Sequence, residues 1–286
     1  MNDSEFTRSP QPANWRDDDG EAICDEDFEH GLPQPFTFFV NPQNGQTYHF
    51  YGTRYIAAAT KPGIEATEGG ENATPKMLYI GWPSLVKAGF GNINAVLRNP
   101  YNRDQTFFFF DIKYALIETK STSTREFRLL GESRLIEDDW RSLRDANFGN
   151  MDAFLPCPGN NQEAYVFSEE MYILIHIGPD PNTDRLISGP TKIEDDWRSF
   201  KEAGFRKILT ILPVADNLDQ AYVFSASGGW EIFTVHYMLV EGITSGPHNV
   251  EIIDGPKPVY GNWSLPLISS GIQAPILGPT IYGKTL

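Results

Sequence analysis

The chain has 286 residues, of which 40% are hydrophobic, so it is long enough for one or two domains with a sizeable core. Its formal charge of -15 at pH 7 repels nucleic-acid phosphates and anionic membrane surfaces, so neither is expected as a partner. It contains no apolar run of about eighteen residues, and no basic segment followed by an apolar one near residue 1. We therefore predict no membrane span, no secretory signal and a cytoplasmic location. The two cysteines, Cys24 and Cys157, are far apart in sequence, which indicates reduced thiols.

An acidic arm opens the chain. Residues 1–30 hold ten acidic and two basic side chains, so -8 of the total charge lies there. We separate this arm, residues 1–34, from a body over residues 35–286. Low apolarity with a high like charge favours disorder. The alternative is a lid, in which Trp15, Ile23 and Phe28 dock the arm on the body.

A repeat begins near residue 36, and its hairpins recur at spacings of 59, 58 and 57 residues. Each copy reads as an inner apolar strand, a hairpin of two strands rich in aromatic residues, an outer strand and a tryptophan on a short helix. The hairpins begin at Gln46, Gln105, Glu163 and Gln220, and the tryptophans are Trp82, Trp140, Trp197 and Trp263. Such units cannot bury their faces singly, so we predict that they stack radially as four blades.

The predicted blades span about residues 35–92, 93–150, 151–207 and 208–266. A tail rich in glycine and proline follows Trp263. We predict that this tail adds a strand to the first blade, closes the ring, or exchanges with a second subunit. Both a monomer and a homodimer therefore stay open.

The amino-acid sequence of the repeat resembles that of a known family. In the third copy the inner strand MDAFL, the hairpin EAYVFSEEMYILI, and LISGPTKIEDDW with an AGF turn are similar to the hemopexin repeat, over roughly residues 35–266. The resemblance implies an all-β fold, a four-bladed hemopexin-like β-propeller with short helices between the blades. Plant seed albumins of the albumin-2 type and small fungal and bacterial proteins share this fold. Members often hold a cation in the central channel, on inner strands of Asp-Ala-Ala type.

The sequence departs from that cation pattern. By alignment, the aspartate position holds Pro35, Asn94, Asp152 and Leu209, so only the third blade keeps Asp-Ala. One carboxylate and one amide give a weak field for Ca²⁺. We predict no cofactor, although a cation on backbone carbonyls stays open. A channel that mixes apolar and polar groups suits an organic ligand instead.

Structural roles are predicted for most of the repeated residues. The recurring aromatic side chains are expected to pack between blades. They are Phe50, Phe109, Phe167 and Phe224, with Tyr55, Tyr114, Tyr172 and Trp230. The acids of the two IEDDW motifs, residues 137–139 and 194–196, are predicted to cap short helices rather than to bind metal or transfer protons.

His49 breaks the hairpin pattern. Its counterparts in the other blades are Phe108, Val166 and Val223. A histidine in place of an apolar strand residue needs a hydrogen-bond partner or a wet surface. We predict catalytic roles for His49, Tyr48 and Asn94, the alternative being a histidine on an exposed strand face. The predicted ligand-binding residues are Phe36, Phe38, Gln46, Phe107, Asp152, Glu163, Thr210 and Gln220.

The function follows from the resemblance, because the usual motifs of hydrolysis, redox chemistry and phosphoryl transfer are missing from the sequence. Some fungal biosynthetic proteins of hemopexin-like fold catalyse hetero-Diels-Alder reactions. The working hypothesis is therefore a cofactor-free cyclisation, in which a central apolar cavity aligns small substrates and a hydrogen-bond donor polarises them. The alternative is a non-catalytic carrier of a polyamine, haem or another small organic molecule. A protein-interaction or lectin-like scaffold, without a ligand-sized cavity, is the third hypothesis.

Overall fold

The computed structural model describes residues 36–58, 75–180, 182–228, 233–259 and 262–263. The predictions made for the acidic arm, for Cys24 and for the tail after Trp263 lie outside these residues. Within the described ranges, no helix is long and apolar enough to cross a membrane.

Four antiparallel sheets follow one another along the chain. Sheet 1 contains β1 (Phe36–Val40), β2 (Thr47–Tyr51), β3 (Arg54–Ala58) and β4 (Lys76–Met77). Sheet 2 contains β5 (Ala95–Arg98), β6 (Gln105–Phe110), β7 (Lys113–Glu118), β8 (Arg128–Leu129) and β9 (Arg134–Leu135). Sheet 3 contains β10 (Ala153–Cys157), β11 (Asn160–Ser168), β12 (Met171–His176) and β13 (Arg185–Lys192). Sheet 4 contains β14 (Ile208–Val214), β15 (Asn217–Gly228), β16 (Phe233–Glu241) and β17 (Glu251–Pro258).

Pairs of short helices follow sheets 1, 2 and 3. They are α1 (Leu78–Gly81) with α2 (Pro83–Lys87), α3 (Ile136–Asp139) with α4 (Arg141–Asp145), and α5 (Ile193–Asp196) with α6 (Arg198–Glu202). Single turns of 3-10 helix lie at Thr124–Glu126, Ile243–Ser245 and Pro247–Asn249. The acids of the IEDDW motifs stand in the first turns of α3 and α5, but no side chain makes a capping hydrogen bond there. The predicted position of these acids at the start of the helices is confirmed, but the side-chain hydrogen bond of a cap is not made there.

The four sheets are arranged as blades. Their inner strands β1, β5, β10 and β14 contact one another in a ring, in which β1 touches both β5 and β14. An apolar cluster fills each gap between neighbouring sheets, and each cluster buries one tryptophan of the repeat. In the gap between sheets 2 and 3, the ring centroid of Trp140 lies 5.4 Å from that of Phe109 and 6.0 Å from that of Tyr114. The predicted all-β fold of four blades joined by short helices is confirmed.

Strand register corrects two assignments made from the sequence. Thr37 pairs with Phe50, as Ala95 pairs with Phe109, so Phe36 rather than Pro35 holds the inner-strand aspartate position of sheet 1. Tyr237 pairs with Phe224 and takes the place assigned to Trp230. The hairpin of sheet 4 is longer than the others, which displaces the sequence alignment there, and Trp230 itself lies outside the described residues.

Candidate functional site

The predicted catalytic residues do not share one site. Tyr48 and His49 are neighbours in β2, so their side chains point to opposite faces of sheet 1. Tyr48 packs on Trp82 between sheets 1 and 2, with ring centroids 5.3 Å apart. His49 packs on Phe36 in the gap between sheets 4 and 1, with ring centroids 4.4 Å apart. A substrate held in one gap cannot meet both side chains.

His49 is completely buried, at 0% exposure. Phe36 and Phe38 enclose its ring at centroid distances of 4.4 and 4.9 Å. Neither ring nitrogen has a hydrogen-bond partner among the described residues. Burial lowers the pKa of His49 to about 3, so the imidazole is neutral. It is neither an exposed strand histidine nor a donor that a substrate reaches in this structure.

Asn94 and Asp152 stabilise hairpin turns. Asn94 Oδ1 accepts a hydrogen bond of 3.0 Å from the N–H of Asp111, and Asp152 Oδ2 accepts one of 2.7 Å from the N–H of Glu169. Asp111 and Glu169 adopt φ angles of 52° and 50°, which residues other than glycine rarely do. Each inner-strand side chain thus secures the strained turn of its own blade.

The same relationship accounts for the apolar residue at this position in sheet 1. There Phe36 replaces the amide or carboxylate, and the turn carries Gly52, whose φ of 54° needs no support. In sheet 3 the Nζ of Lys207 also lies 3.6 Å from Asp152 Oδ1. Burial raises the pKa of Asp152, while Lys207 acts in the opposite direction. Local contacts therefore occupy this carboxylate without any ligand.

The predicted ligand-binding residues are spread over the molecule. Phe36 and Phe38 lie with His49 between sheets 4 and 1. Thr210 Oγ1 lies 3.3 Å from Thr37 Oγ1, where β14 meets β1. Gln46, Glu163 and Gln220 lie at hairpins of three separate sheets, 1, 3 and 4. Phe107 lies apart from all of these, in the gap between sheets 2 and 3, where it lines a pocket.

This pocket between sheets 2 and 3 has a volume of about 280 Å³. Its apolar wall consists of Phe107, Leu116, Trp140 and Ile177. Its polar groups include Gln105, Glu132, Arg134 and Asp180. Among the described residues, no three side chains of His, Cys, Asp or Glu cluster closely enough to hold a metal ion. An apolar wall with a few polar groups is the usual composition of a site for a small organic molecule.

A buried carboxylate forms part of the pocket lining. Asp139 accepts a hydrogen bond of 2.7 Å from the Tyr114 hydroxyl, and its other oxygen lies 2.7 Å from Arg134 Nη2. The Asp139 side chain is 3% exposed, whereas that of Arg134 is 53% exposed. Burial, followed by the bond to Asp139, raises the pKa of Tyr114, so its hydroxyl stays protonated and donates. The contact with Asp139 holds the guanidinium of Arg134 at the pocket.

The loop between β12 and β13 forms the wall of the pocket that faces sheet 2. The N–H of Asn182 donates to the backbone oxygen of Asp139 at 2.6 Å. The Asp184 carboxylate accepts hydrogen bonds from the N–H groups of Arg141 and Ser142, at 3.0 and 2.6 Å. These N–H groups open α4 and have no partner within the helix. The acid that caps this helix therefore comes from the next blade.

One residue of the pocket wall departs from the repeat. Phe107 stands where the other blades have Tyr48, Tyr165 and Tyr222. In the gap between sheets 3 and 4, Tyr165 packs on Trp197 with ring centroids 5.1 Å apart, and its hydroxyl lies near Gly246, between the 3-10 turns that follow β16. Phe107 packs on Trp140 in the same way, at 5.1 Å, but lacks the hydroxyl. The gap between sheets 2 and 3 therefore lacks a hydroxyl that the other three blades carry at this position.

Comparison with known proteins agrees with the propeller architecture. Over 115 residues the chain is 32% identical to albumin-2 of Lathyrus sativus, a match that covers 40% of this chain and 50% of that protein. The chain thus spans about half the length of the curated relatives it matches. No known protein-family profile matches it.

Two solved structures decide the fold. A seed albumin from Lathyrus sativus has a TM-score of 0.63 at 16% identity, covering 85% of this chain and 99% of that one. A hemopexin-fold protein from cow pea has a TM-score of 0.64 at 16% identity, covering 84% and 98%. The chain has a hemopexin-like fold. The resemblance drawn from its repeat is confirmed.

Only part of the pocket was predictable from the sequence. Phe107 was selected, and the exchange of tyrosine for phenylalanine at that position is a readable signal. Arg134 and Asp184 were missed, and Asp139 was assigned to helix capping. No signal in the repeat identifies Asp184, because its partners lie in the preceding blade, 42 and 43 residues away.

Replacing Asp184 with alanine is expected to lower the free energy of unfolding by about 1 to 2 kcal/mol, because two N–H groups at the start of α4 lose their acceptor. Asp180→Ala is the control, since Asp180 is exposed in the same loop and is expected to change stability by less than about 0.5 kcal/mol. Urea denaturation of both variants measures the difference. Equal stability of the two variants would contradict the capping role.

Proposed function

We propose that this protein binds one small organic molecule without transforming it, in the pocket between sheets 2 and 3. The single observation that carries this proposal is the pocket itself, with an apolar wall on one side and a few fixed polar groups on the other. Its volume of about 280 Å³ lies just below the usual range for small-ligand sites, roughly 300 to 1,000 Å³, which suits a small molecule. A relative described as an albumin is in line with a binding role.

A cyclisation of hetero-Diels-Alder type is the second candidate. It requires two reacting groups side by side and a donor that faces them. The apolar wall around Phe107 and Trp140 favours it, and the Gln105 amide would supply the donor in place of His49. The small volume favours a single bound ligand, which is why we place binding first.

The pocket can be filled selectively. Leu116 lines it, and Leu174 holds the equivalent position in β12, two residues after the tyrosine of its strand, outside the pocket lining. We expect Leu116→Trp to weaken ligand binding at least about tenfold, because the indole occupies the ligand volume. Leu174→Trp is the matched control and is expected to leave the affinity unchanged.

The experiment is a ligand-observed NMR screen of small aromatic compounds, neutral, cationic and anionic, against the full chain and both variants. Binding that Leu116→Trp removes and Leu174→Trp retains supports the proposal. Absence of binding to the unaltered protein, or equal binding to both variants, overturns it. Conversion of a diene and dienophile pair into an adduct, removed by the same Leu116→Trp change, would instead favour the cyclase.

A further inference from the structure

We infer that the ligand of this pocket is an organic cation, an ammonium group attached to an apolar aromatic or alkyl body. This inference rests on the proposed function, because it names the charge of the molecule that the same pocket binds. It is drawn from the pairing of the charged side chains around the pocket and from the aromatic rings beneath them.

The pocket lining carries an excess of negative charge. Four lining residues are acidic, Glu132, Asp139, Asp180 and Asp184, and one is basic, Arg134, so the sum is 1 - 4 = -3. This charge repels an anionic ligand and attracts a cationic one, which reduces the repulsion among the acidic side chains.

The two buried carboxylates of the lining already have hydrogen-bond or ion-pair partners. Asp139 is held by Arg134 and by the Tyr114 hydroxyl, each at 2.7 Å. Asp184 accepts hydrogen bonds from two backbone N–H groups of α4. The single guanidinium of the pocket is likewise occupied by Asp139. It is therefore a weak receptor for a carboxylate or phosphate.

The two exposed carboxylates of the lining have no such partners among the described residues. Glu132 and Asp180 are exposed residues of the lining, one from sheet 2 and one from the loop of sheet 3. Within the described residues, neither carboxylate makes a hydrogen bond or an ion pair. They come from the two walls of the pocket, so an ammonium group between these walls can approach both.

Aromatic rings provide the second attraction. Phe107, Tyr114 and Trp140 line the pocket, and the face of an aromatic ring attracts a cation through its quadrupole. Leu116 and Ile177 add aliphatic surface for the uncharged body of the ligand. Inorganic cations gain little from such a wall, because they bind best to several oxygen ligands. The composition therefore fits an alkylated or aryl-substituted ammonium better than a metal ion.

The test compares three probes that share a phenethyl body by isothermal titration calorimetry on the full chain. They are phenethyltrimethylammonium, its neutral carbon isostere with a tert-butyl group, and 3-phenylpropanoate. We expect the cation to bind at least about tenfold more tightly than the neutral isostere. We expect this preference to fall as the salt concentration rises, because the carboxylates are exposed.

Two charge-matched double variants localise the preference. Glu132→Gln with Asp180→Asn removes the two exposed carboxylates of the lining and is expected to remove most of the preference for the cation, while binding of the neutral isostere stays unchanged. Glu137→Gln with Asp138→Asn removes two exposed carboxylates of α3 that do not line the pocket, and is expected to leave the preference intact.

The outcomes separate the two proposals. Equal binding of the cation and the neutral isostere, or tighter binding of the carboxylate, overturns the inference and leaves the proposed function standing. Equal loss of preference in both double variants also overturns it, since the total charge of the chain would then be the cause. Binding of none of the three probes overturns both the inference and the proposed function.

Discussion

Replacing His49 with leucine is expected to stabilise the protein. The imidazole is fully buried, and neither nitrogen has a partner among the described residues, so none of these residues compensates its desolvation. Such a group costs about 1 to 3 kcal/mol of stability, and leucine has a similar volume without polar atoms. At neutral pH we expect the free energy of unfolding to rise by roughly that amount.

The stability gained by His49→Leu is expected to increase as the pH falls below 6.5. The pKa of His49 is lowered from 6.5 to about 3 in the folded protein, so between these values the unfolded chain binds the additional proton. Folding stability is therefore full above pH 6.5 and falls as the pH drops toward 3. At pH 4.5 this linkage removes roughly 2 to 3 kcal/mol, which the leucine variant retains.

Thermal unfolding between pH 4 and 8 measures both effects, with Tm expected to shift by about 2 to 4 °C for each kcal/mol. His176→Gln is the control, because His176 is only partly buried on β12, and it should keep the pH profile of the unaltered protein. A leucine variant that is less stable at every pH would show that His49 has a partner in the folded protein.

Replacing Asp139 with alanine is expected to cost about 2 to 3 kcal/mol. The change removes a carboxylate that is 3% exposed and leaves two donors, the Tyr114 hydroxyl and the Arg134 guanidinium, without their acceptor. Because Arg134 is 53% exposed, water hydrates it after the change, and the cost stays below that of breaking a fully buried ion pair. The pocket also loses the group that holds Arg134, so its ligand affinity is expected to change.

Asp196→Ala in the third blade is the matched control. Asp196 also accepts a hydrogen bond from a tyrosine, Tyr172, but its side chain is 27% exposed, and it contacts no guanidinium, with the imidazole Nε2 of His248 at 3.8 Å. We expect a loss of about 1 kcal/mol there. Urea denaturation of both variants gives the comparison, and equal losses would mean that the contact with Arg134 contributes nothing.

Prediction from the sequence succeeded where the information is local. The alternation of aromatic residues in the hairpins and their recurrence at 59, 58 and 57 residues were sufficient for the four blades. The roles of individual inner-strand side chains were predicted less successfully. A catalytic role is predicted for Asn94 and a ligand-binding role for Asp152, whereas their hydrogen bonds stabilise the turns at Asp111 and Glu169. That role depends on the φ angles of the turn residues, which the sequence pattern does not contain.

The sequence by itself therefore determined the repeat, the strand order within each blade and the family resemblance, because a strand alternates its faces with a period of two residues whatever surrounds it. Only the tertiary structure decided which faces meet. Tyr48 and His49 are adjacent in sequence but lie in different gaps, while Asp139 and Asp184 are distant in sequence but line one pocket. Packing between blades joins residues through space, and no local pattern specifies the partner across the gap.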